Sequence, residues 1–294
     1  MRGMIAMRKD GKLLKDVNPM YTLAPYIMKT RNDSLNFVTV KIPYAPIHDY
    51  INASKKKKIN ISHMAVILAA YVRIVSEFPA LNRFVVHSRV YAHNDFKVAM
   101  VVLKPGSASE ETMAKLDLKL TDTIFEVNDK INSFIADNRK DEEEYSNSLD
   151  NLIATLTKMS GFMRFAVNTL MKMDEYGILP KSIIDASPFH TSLTISNLAS
   201  IRTREIYHHI YNFGTTSMFI TMGSLEKQLE LVDGVPTEVR YIPMGVSMDE
   251  RIASGLYISQ AFRRFTHYLK DPSLLEQAPE KVTYDSPFKD TGLN

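Results

Sequence analysis

Strand-like and helix-like patterns alternate along this chain with no linker between them, and this alternation limits the folds that the chain can adopt. Apolar and polar side chains alternate from Asn36 to Pro43 as they do in a β-strand. Ser62 can cap a helix that ends near Pro79. Phe96 to Leu103 is a nearly continuous apolar run, typical of a strand covered on both faces. Together these patterns predict one α/β domain with a mixed β-sheet flanked by helices.

The same patterns continue to the end of the chain. Amphipathic spacing predicts a helix from Ser109 to about Ala136 and a second helix from about Leu149 to Met173. Further predicted elements are strands at 191–196 and 218–222, a hairpin with arms at 228–232 and 238–243, and a final helix over 254–269. We therefore expect an N-terminal arm over residues 1–33, the α/β domain over 34–272 and a C-terminal tail over 273–294.

Composition excludes several classes of function. The 294 residues carry a net charge of +3, with basic and acidic residues interspersed, so no nucleic-acid partner is expected. No stretch approaches the roughly 20 apolar residues that span a bilayer, and no membrane span is predicted. The absence of cysteine excludes disulfides, cysteine-ligated zinc and a cysteine nucleophile. Because that absence also suits a reducing interior, we expect a cytoplasmic protein.

The segment from Phe189 to Ser196 alternates in a way that bears on function. Period-two geometry gives one face His190, Ser192, Thr194 and Ser196, while the opposite face is largely apolar. Small polar groups in a row beside a core strand suit the lining of a substrate channel. The alternative is the solvent-facing side of an antiparallel strand, which the pattern alone favours.

The end of this strand, Thr194-Ile195-Ser196-Asn197-Leu198, resembles a motif of the acyltransferases that include chloramphenicol acetyltransferase and the dihydrolipoamide acyltransferase catalytic domain. That family has Thr-Ile-Ser-Asn-Leu-Gly here, and Ala199 replaces its glycine. The resemblance implies a chloramphenicol-acetyltransferase-like fold in which the hydroxyl of Ser196 stabilises the oxyanion of a tetrahedral intermediate. Four neighbouring side chains are predicted to bind substrate: His190, Ser192, Thr194 and Asn197.

A second segment, Glu250 to Gly255, resembles the family's His-x-x-x-Asp-Gly motif at the turn into the final helix. Glu250 stands where the family has the histidine that takes a proton from the attacking thiol or hydroxyl. Ser254 stands where the family has an aspartate, and we include it among the substrate-binding candidates. An unperturbed glutamate is a weaker base than imidazole, although burial would strengthen it. The alternative, which charged turn residues favour, is an ion pair that holds the loop.

His208 and His209 are candidates for a substitute base. Adjacent residues on an extended segment point to opposite sides, so only one of them can enter a given pocket. Because the pair does not share a face and no third ligand is evident, no metal site is predicted. A structural or surface role is the alternative for each histidine.

Two functions fit these residues. The resemblance implies an acyltransferase that moves an acyl group from coenzyme A, or a similar thioester, to an unknown small acceptor, with its general base altered or lost. Coenzyme A would be a substrate, and no covalently bound cofactor is expected. The alternative is a non-catalytic ligand-binding or structural trimer on the same scaffold. Because the family assembles as trimers, we expect a homotrimer in which Ser196 comes from one subunit and Glu250 from the next.

Overall fold

The computed structural model describes residues 8–103, 111–138, 161 and 163–285. Its strands are β1 (Gly11–Leu13), β2 (Leu35–Pro43), β3 (Arg83–Val86), β4 (Arg89–His93), β5 (Phe96–Leu103), β6 (Glu111–Leu118), β7 (Leu193–Asn197), β8 (Met218–Met222), β9 (Glu226–Val232) and β10 (Val235–Asp249). The larger sheet has the order β2-β10-β8-β7-β5-β6, and β9 pairs with β10 as the other arm of a hairpin. The smaller sheet has the order β1-β4-β3.

The structure describes seven α-helices, several of which pack on the larger sheet. They are α1 (Pro19–Ile27), α2 (Tyr44–Lys56), α3 (His63–Glu77), α4 (Ile124–Asn138), α5 (Met163–Glu175), α6 (Lys181–Ala186) and α7 (Gly255–Lys270). Every residue of α3 from Ala65 to Ser76 is buried, because this helix packs against both α4 and α7. As predicted, Ser62 caps α3 by accepting a hydrogen bond from the backbone N–H of Ala65 at 3.1 Å. None of these helices is long and apolar enough to cross a membrane.

The sheet is mixed, as the sequence predicts. β7 lies at its centre and runs parallel to both β5 and β8, whereas β10 runs antiparallel to β8 and to the edge strand β2. The hairpin of β9 and β10 turns at Asp233-Gly234, where both residues have a positive φ. This arrangement confirms the α/β class and brings the polar strand into the interior of the molecule.

One predicted helix is wrong over its first half. Residues Glu111–Leu118 form strand β6, antiparallel to β5, and helix α4 begins only at Ile124. Leu116 and Leu118 are buried on either side of the exposed Asp117, a two-residue period that fits an edge strand. Most of the predicted helix over 149–173 lies outside the described residues, and α5 represents its end.

Both ends of the described chain pack onto the domain. In the N-terminal arm, β1 pairs with β4. In the tail, the carbonyl of Leu274 accepts a hydrogen bond from Arg73 Nη1 at 3.1 Å, and the N–H of Thr283 donates to the carbonyl of Ser76 at 2.8 Å. The division of the chain after residues 33 and 272 stays a prediction.

Candidate functional site

The polar strand β7 is an interior strand. Thr194 pairs with Ala99 of β5 on one side and with Phe219 of β8 on the other, and Ser196 pairs with Thr221. Ser192 and Thr194 are buried, Ser196 is half-buried and Asn197 is exposed at the end of the strand. The interpretation of this face as the solvent side of an antiparallel strand is therefore wrong, because parallel neighbours on both sides place it inside the fold.

Ser192 is bound into the sheet rather than presented to a cavity. Its backbone N–H donates to the carbonyl of Lys97 at 2.8 Å, and its Oγ accepts from the N–H of Lys97 at 3.3 Å. Asn197 likewise contributes its carbonyl to the turn that follows, where Ser200 Oγ donates to it at 2.6 Å. Thr194 differs from both, because its side chain lines a small cavity with Phe219 and Tyr211.

His190 belongs to a buried ionic cluster. Its Nε2 lies 3.3 Å from Oδ1 of Asp174, and its Nδ1 lies 2.8 Å from Oγ of Ser187. Arg8 donates from Nη2 to Asp174 at 2.7 Å and to Asp10 at 2.8 Å. Burial opposes the charge of Asp174, but hydrogen bonds from His190 and Arg8, together with the charge of Arg8, hold its pKa well below the usual range. The cluster anchors the start of the polar strand.

Asp10, Asp174 and His190 also present ligand-type atoms within 4.8 Å of one another. A cation at this position would compete with the guanidinium of Arg8, which donates to both carboxylates. A protein cation thus already compensates the two carboxylates, and the geometry gives no support for a metal here.

Residues 203–211, termed the crossing segment, run across the sheet over β8 and β10. Thr221 Oγ1 donates to the carbonyl of Ile206 at 2.6 Å and accepts from its N–H at 3.1 Å. Gly223 and Gly245 permit this approach, because a Cβ at either position would collide with the backbone of the crossing segment. Tyr207 reaches the edge strand, where its Oη lies 2.5 Å from Oγ1 of Thr39.

The crossing segment carries His208 onto the face of the sheet that bears Ser196. The imidazole of His208 stacks on the ring of Phe219, with a centroid distance of 4.2 Å and an interplanar angle of 12°. Phe219 pairs with Thr194, and the next residues on that face are Thr221 and Ser196. Two strand residues span about 7 Å and neighbouring strands lie about 4.8 Å apart, so the His208 ring lies roughly one such step along the sheet and one strand across from Ser196.

The hydrogen bond of His208 determines which of its nitrogens carries a proton. Nδ1 lies 2.7 Å from the backbone carbonyl of His209, and a carbonyl oxygen can only accept, so Nδ1 must donate. In the neutral ring Nε2 is then unprotonated, and no described residue forms a hydrogen bond with it. His209 is exposed and stacks on His208 at 4.6 Å. Of the two candidate histidines, only His208 therefore contacts the sheet near Ser196.

Glu250 lies in the turn after β10 and is bound to the edge strand. Asn36 Nδ2 donates to its Oε2 at 2.6 Å, and the backbone N–H of Glu250 donates to the carbonyl of Ser34 at 2.9 Å. The register pairs Ser196 with Thr221 and Thr221 with Gly245, five residues before Glu250. At strand spacing, that offset separates Glu250 from the Ser196 row by about 17 Å along β10. Within one chain the two residues do not meet.

The residues beside Glu250 form a buried ionic group that the sequence did not identify as part of the site. The carboxylate of Asp249 accepts from Arg251 Nε at 2.8 Å and Nη2 at 2.7 Å, and from Ser34 Oγ at 3.0 Å. Arg31 Nε lies 3.7 Å from the same carboxylate. The Asp-x-Arg spacing in the sequence could have suggested the first pair, but nothing in the sequence joins Arg31 to it.

Ser254 has a structural role in this chain. Its Oγ accepts the backbone N–H of Tyr257 at 3.2 Å and caps α7. The side chain is exposed, and Arg251 in this turn is held by the carboxylate of Asp249. Because Asp249 makes the ionic contacts of this turn, Ser254 is free to cap the helix.

A mixed sheet with this strand order, a serine at the end of its central strand and a glycine-led final helix define an acyltransferase-type α/β fold. No family model matches the chain, and no curated protein matches it. The similarity is to solved structures. One is a probable dihydrolipoamide acetyltransferase from Listeria monocytogenes, with 13% identity and a TM-score of 0.55, covering 87% of this chain and 93% of that one.

Two further structures support the same fold. Dihydrolipoamide acetyltransferase from Azotobacter vinelandii, investigated for the catalytic roles of a serine, a histidine and an asparagine, is 11% identical with a TM-score of 0.56, covering 89% of this chain and 93% of that one. Chloramphenicol acetyltransferase is 10% identical with a TM-score of 0.53, covering 88% and 99%. The chain has the fold of these acyltransferase catalytic domains.

Proposed function

We propose that the protein transfers an acyl group from coenzyme A, or a similar thioester, to a small acceptor, with Ser196 as the oxyanion donor and His208 as the general base. The observation that carries the proposal is that the half-buried Ser196 and the imidazole of His208 lie on the same face of the sheet. The bond from His208 Nδ1 to the carbonyl of His209 leaves Nε2 able to accept a proton.

These residues support transfer of the acyl group in which the acceptor's proton ends on the departing thiol. His208 Nε2 takes the proton of the acceptor's hydroxyl, thiol or amine as that group attacks the thioester carbonyl. The hydroxyl of Ser196 donates a hydrogen bond to the oxyanion that forms. When the tetrahedral intermediate collapses, the carbon–sulfur bond breaks, and the departing thiolate takes the proton from the imidazolium. The enzyme returns to its starting state without a covalently bound cofactor.

The proposal includes a homotrimer with the cleft between subunits. The separation of about 17 Å along β10 between Glu250 and the Ser196 row favours an arrangement in which Glu250 of a neighbouring subunit approaches the serine. Apolar side chains at the sheet edge and on the hairpin are exposed, with Phe37 at 51%, Leu229 at 77% and Leu231 at 75%, and a second copy could cover them. A cytoplasmic location stays a prediction.

The experiment measures release of free coenzyme A from acetyl-coenzyme A with a panel of amine, hydroxyl and thiol acceptors. We expect His208→Gln to lower kcat by about 10²- to 10⁴-fold, the contribution of a general base. His209→Gln is the matched control, because it changes the adjacent, exposed histidine and should retain activity within about threefold. Equal activity of the parent and His208→Gln would remove His208 from the mechanism.

A non-catalytic trimer that binds a ligand is the second candidate, and the turn at residues 249–255 favours it. Glu250 is engaged by Asn36 and Ser254 is engaged as a helix cap, so both motif positions serve the scaffold. This candidate predicts no turnover with any acceptor. Calorimetric binding of coenzyme A without turnover would then indicate a ligand-binding protein, and the absence of both would indicate a structural one.

A further inference from the structure

A large cavity lies between α1, the turn that joins β3 to β4, and α5. Its volume is about 680 Å³, which is within the usual range for small-molecule sites. Val85 and Phe213 supply part of its apolar wall. The proposed acyl-transfer mechanism does not use this cavity.

The cavity carries an excess of basic side chains. Its lining includes four cations and two carboxylates: Lys29, Arg31, Lys172, Arg251, Asp174 and Glu175. Glu175 accepts from Lys172 Nζ at 2.6 Å, and Asp174 is bound to Arg8 at 2.7 Å. Lys29 has no ion-pair partner among the described residues. Arg31 shares its nearest carboxylate, that of Asp249, with Arg251. The surplus positive charge is therefore at the end formed by Lys29, Arg31 and Arg251.

The two arginines at that end have donors that the protein does not use. A guanidinium has five N–H donors. Arg31 uses three, from Nη1 to the carbonyl of Tyr211 and from Nη2 to those of Val85 and Gly214, and its Nε has no hydrogen-bond partner. Arg251 also uses three, two to Asp249 and one to the carbonyl of Met28. Burial lowers the pKa of Arg31 to about 10, because the carboxylates of Asp249 and Asp174 do not fully offset its desolvation and the nearby charges of Arg251 and Arg8.

The carboxylates at the other side of the cavity already accept hydrogen bonds from protein donors. Asp174 accepts from Arg8 at Oδ1 and from the N–H of Gly214 at Oδ2, and Asp10 shares the same arginine. A ligand cation would find no carboxylate oxygen free of a protein donor there. At the end formed by Lys29, Arg31 and Arg251, two guanidinium groups share the carboxylate of Asp249, so an anion there would meet uncompensated positive charge.

The turn beside the cavity is held in an unfavourable backbone conformation. His87 and Ser88 have φ values of 50° and 54°, and both line the cavity. Hairpin turns of this kind favour Asn-Gly, since side chains other than glycine and asparagine strain the left-handed region. In this strained conformation, His87 and Ser88 place an imidazole and a hydroxyl at the cavity wall.

We propose that this cavity binds a small organic anion, with its carboxylate or phosphate group at the Arg31–Arg251 end, close to Lys29, and a short apolar body against Val85 and Phe213. The charge surplus, the unused donors and the apolar wall each supply one part of that recognition. The binding requires no turnover, so it stands or fails independently of the proposed acyl transfer.

The test is calorimetric titration of the full chain with hexanoate, hexyl phosphate and hexanamide. We expect at least one of the two anions to bind at least about tenfold more tightly than the amide, because hydrogen bonds to charged groups are the stronger ones. Hexanoate and hexyl phosphate separate a carboxylate ligand from a phosphate ligand. Lys29→Gln should weaken anion binding about two- to fivefold, whereas Lys270→Gln, the same charge change outside the cavity, should not.

A fluorescence variant locates the ligand. The chain contains no tryptophan, and the side chain of Met171 lines the cavity and is 41% exposed, so Met171→Trp introduces a single reporter at a tolerant position. Its emission should change with the anion over the concentrations found by calorimetry and should not change with the amide. Equal binding of amide and anions, no binding of either anion, or binding that leaves the reporter unchanged would overturn the proposal.

Discussion

The serine strand β7 and the turn at residues 249–255 carry the two motifs that resemble those of acyltransferases, and their polar side chains have different surroundings in the structure. On β7, Ser196 retains a half-buried hydroxyl, with Thr194 behind it and an imidazole on the same face. At the turn, the charged and polar side chains are bound to the scaffold. Asp249 holds Arg251, and Glu250 accepts from Asn36. One segment thus leaves a hydroxyl without a hydrogen-bond partner among the described residues, while the other binds its charged side chains to the rest of the protein.

The largest effect is expected from removal of the Asp249 carboxylate, which holds the turn at residues 249–255. Asp249→Ala leaves Arg251 buried without its counter-ion, and we expect a loss of about 3–5 kcal/mol in the free energy of unfolding. Urea denaturation measures this loss. Asp16→Ala, which changes an exposed aspartate, is the control and should stay within about 0.5 kcal/mol of the parent. A cost below about 1 kcal/mol for Asp249→Ala would mean that the turn is not held from that residue.

The second prediction concerns the other half. Ser196→Ala should lower kcat for acyl transfer by about 10²- to 10³-fold, the usual cost of one oxyanion donor. The free energy of unfolding should change by less than about 1 kcal/mol, since no hydrogen bond to another described residue depends on this hydroxyl. Ser200→Ala is the control, because Ser200 lies four residues away and bonds only the carbonyl of Asn197. An unchanged kcat in Ser196→Ala would exclude an oxyanion role for this serine.

The third prediction uses the cluster that anchors β7. Because the pKa of Asp174 is lower in the folded protein than its ordinary 3.8, the unfolded chain binds a proton first as the pH falls. The stability from this carboxylate is complete above about pH 5 and is lost as the pH falls toward the folded pKa. We expect about 2 kcal/mol to be lost in this way. Asp174→Asn should reduce the dependence of the free energy of unfolding on pH below pH 5. An unchanged dependence would contradict the role given to Asp174.

The sequence predicted the sheet better than the site. Alternation and apolar runs located β2, β5, β8 and the hairpin, because apolar residues in these segments alternate with polar ones or form short uninterrupted runs. The error at Glu111–Leu118 arose because the helical stripe that starts at Leu120 and continues through α4 was extended back over an edge strand. The position of His208 over Phe219 was not predictable, since it depends on the crossing segment and on the close approach that Gly223 and Gly245 allow. Local sequence patterns predict single strands and helices, whereas the relative position of side chains such as His208 and Phe219 depends on contacts between segments far apart in the sequence.

The substitution of Glu250 is expected to change stability and kcat the least. Its result decides between Glu250 and His208 as the proposed base. Glu250→Gln retains an oxygen that can accept from Asn36, so we expect less than about 1 kcal/mol of lost stability and less than about a tenfold change in kcat. A loss as large as that of Ser196→Ala would instead make Glu250 the base, supplied across a subunit interface, and would remove the need for His208. The comparison of Glu250→Gln with His208→Gln therefore distinguishes the proposed base on the crossing segment from a carboxylate base at the turn.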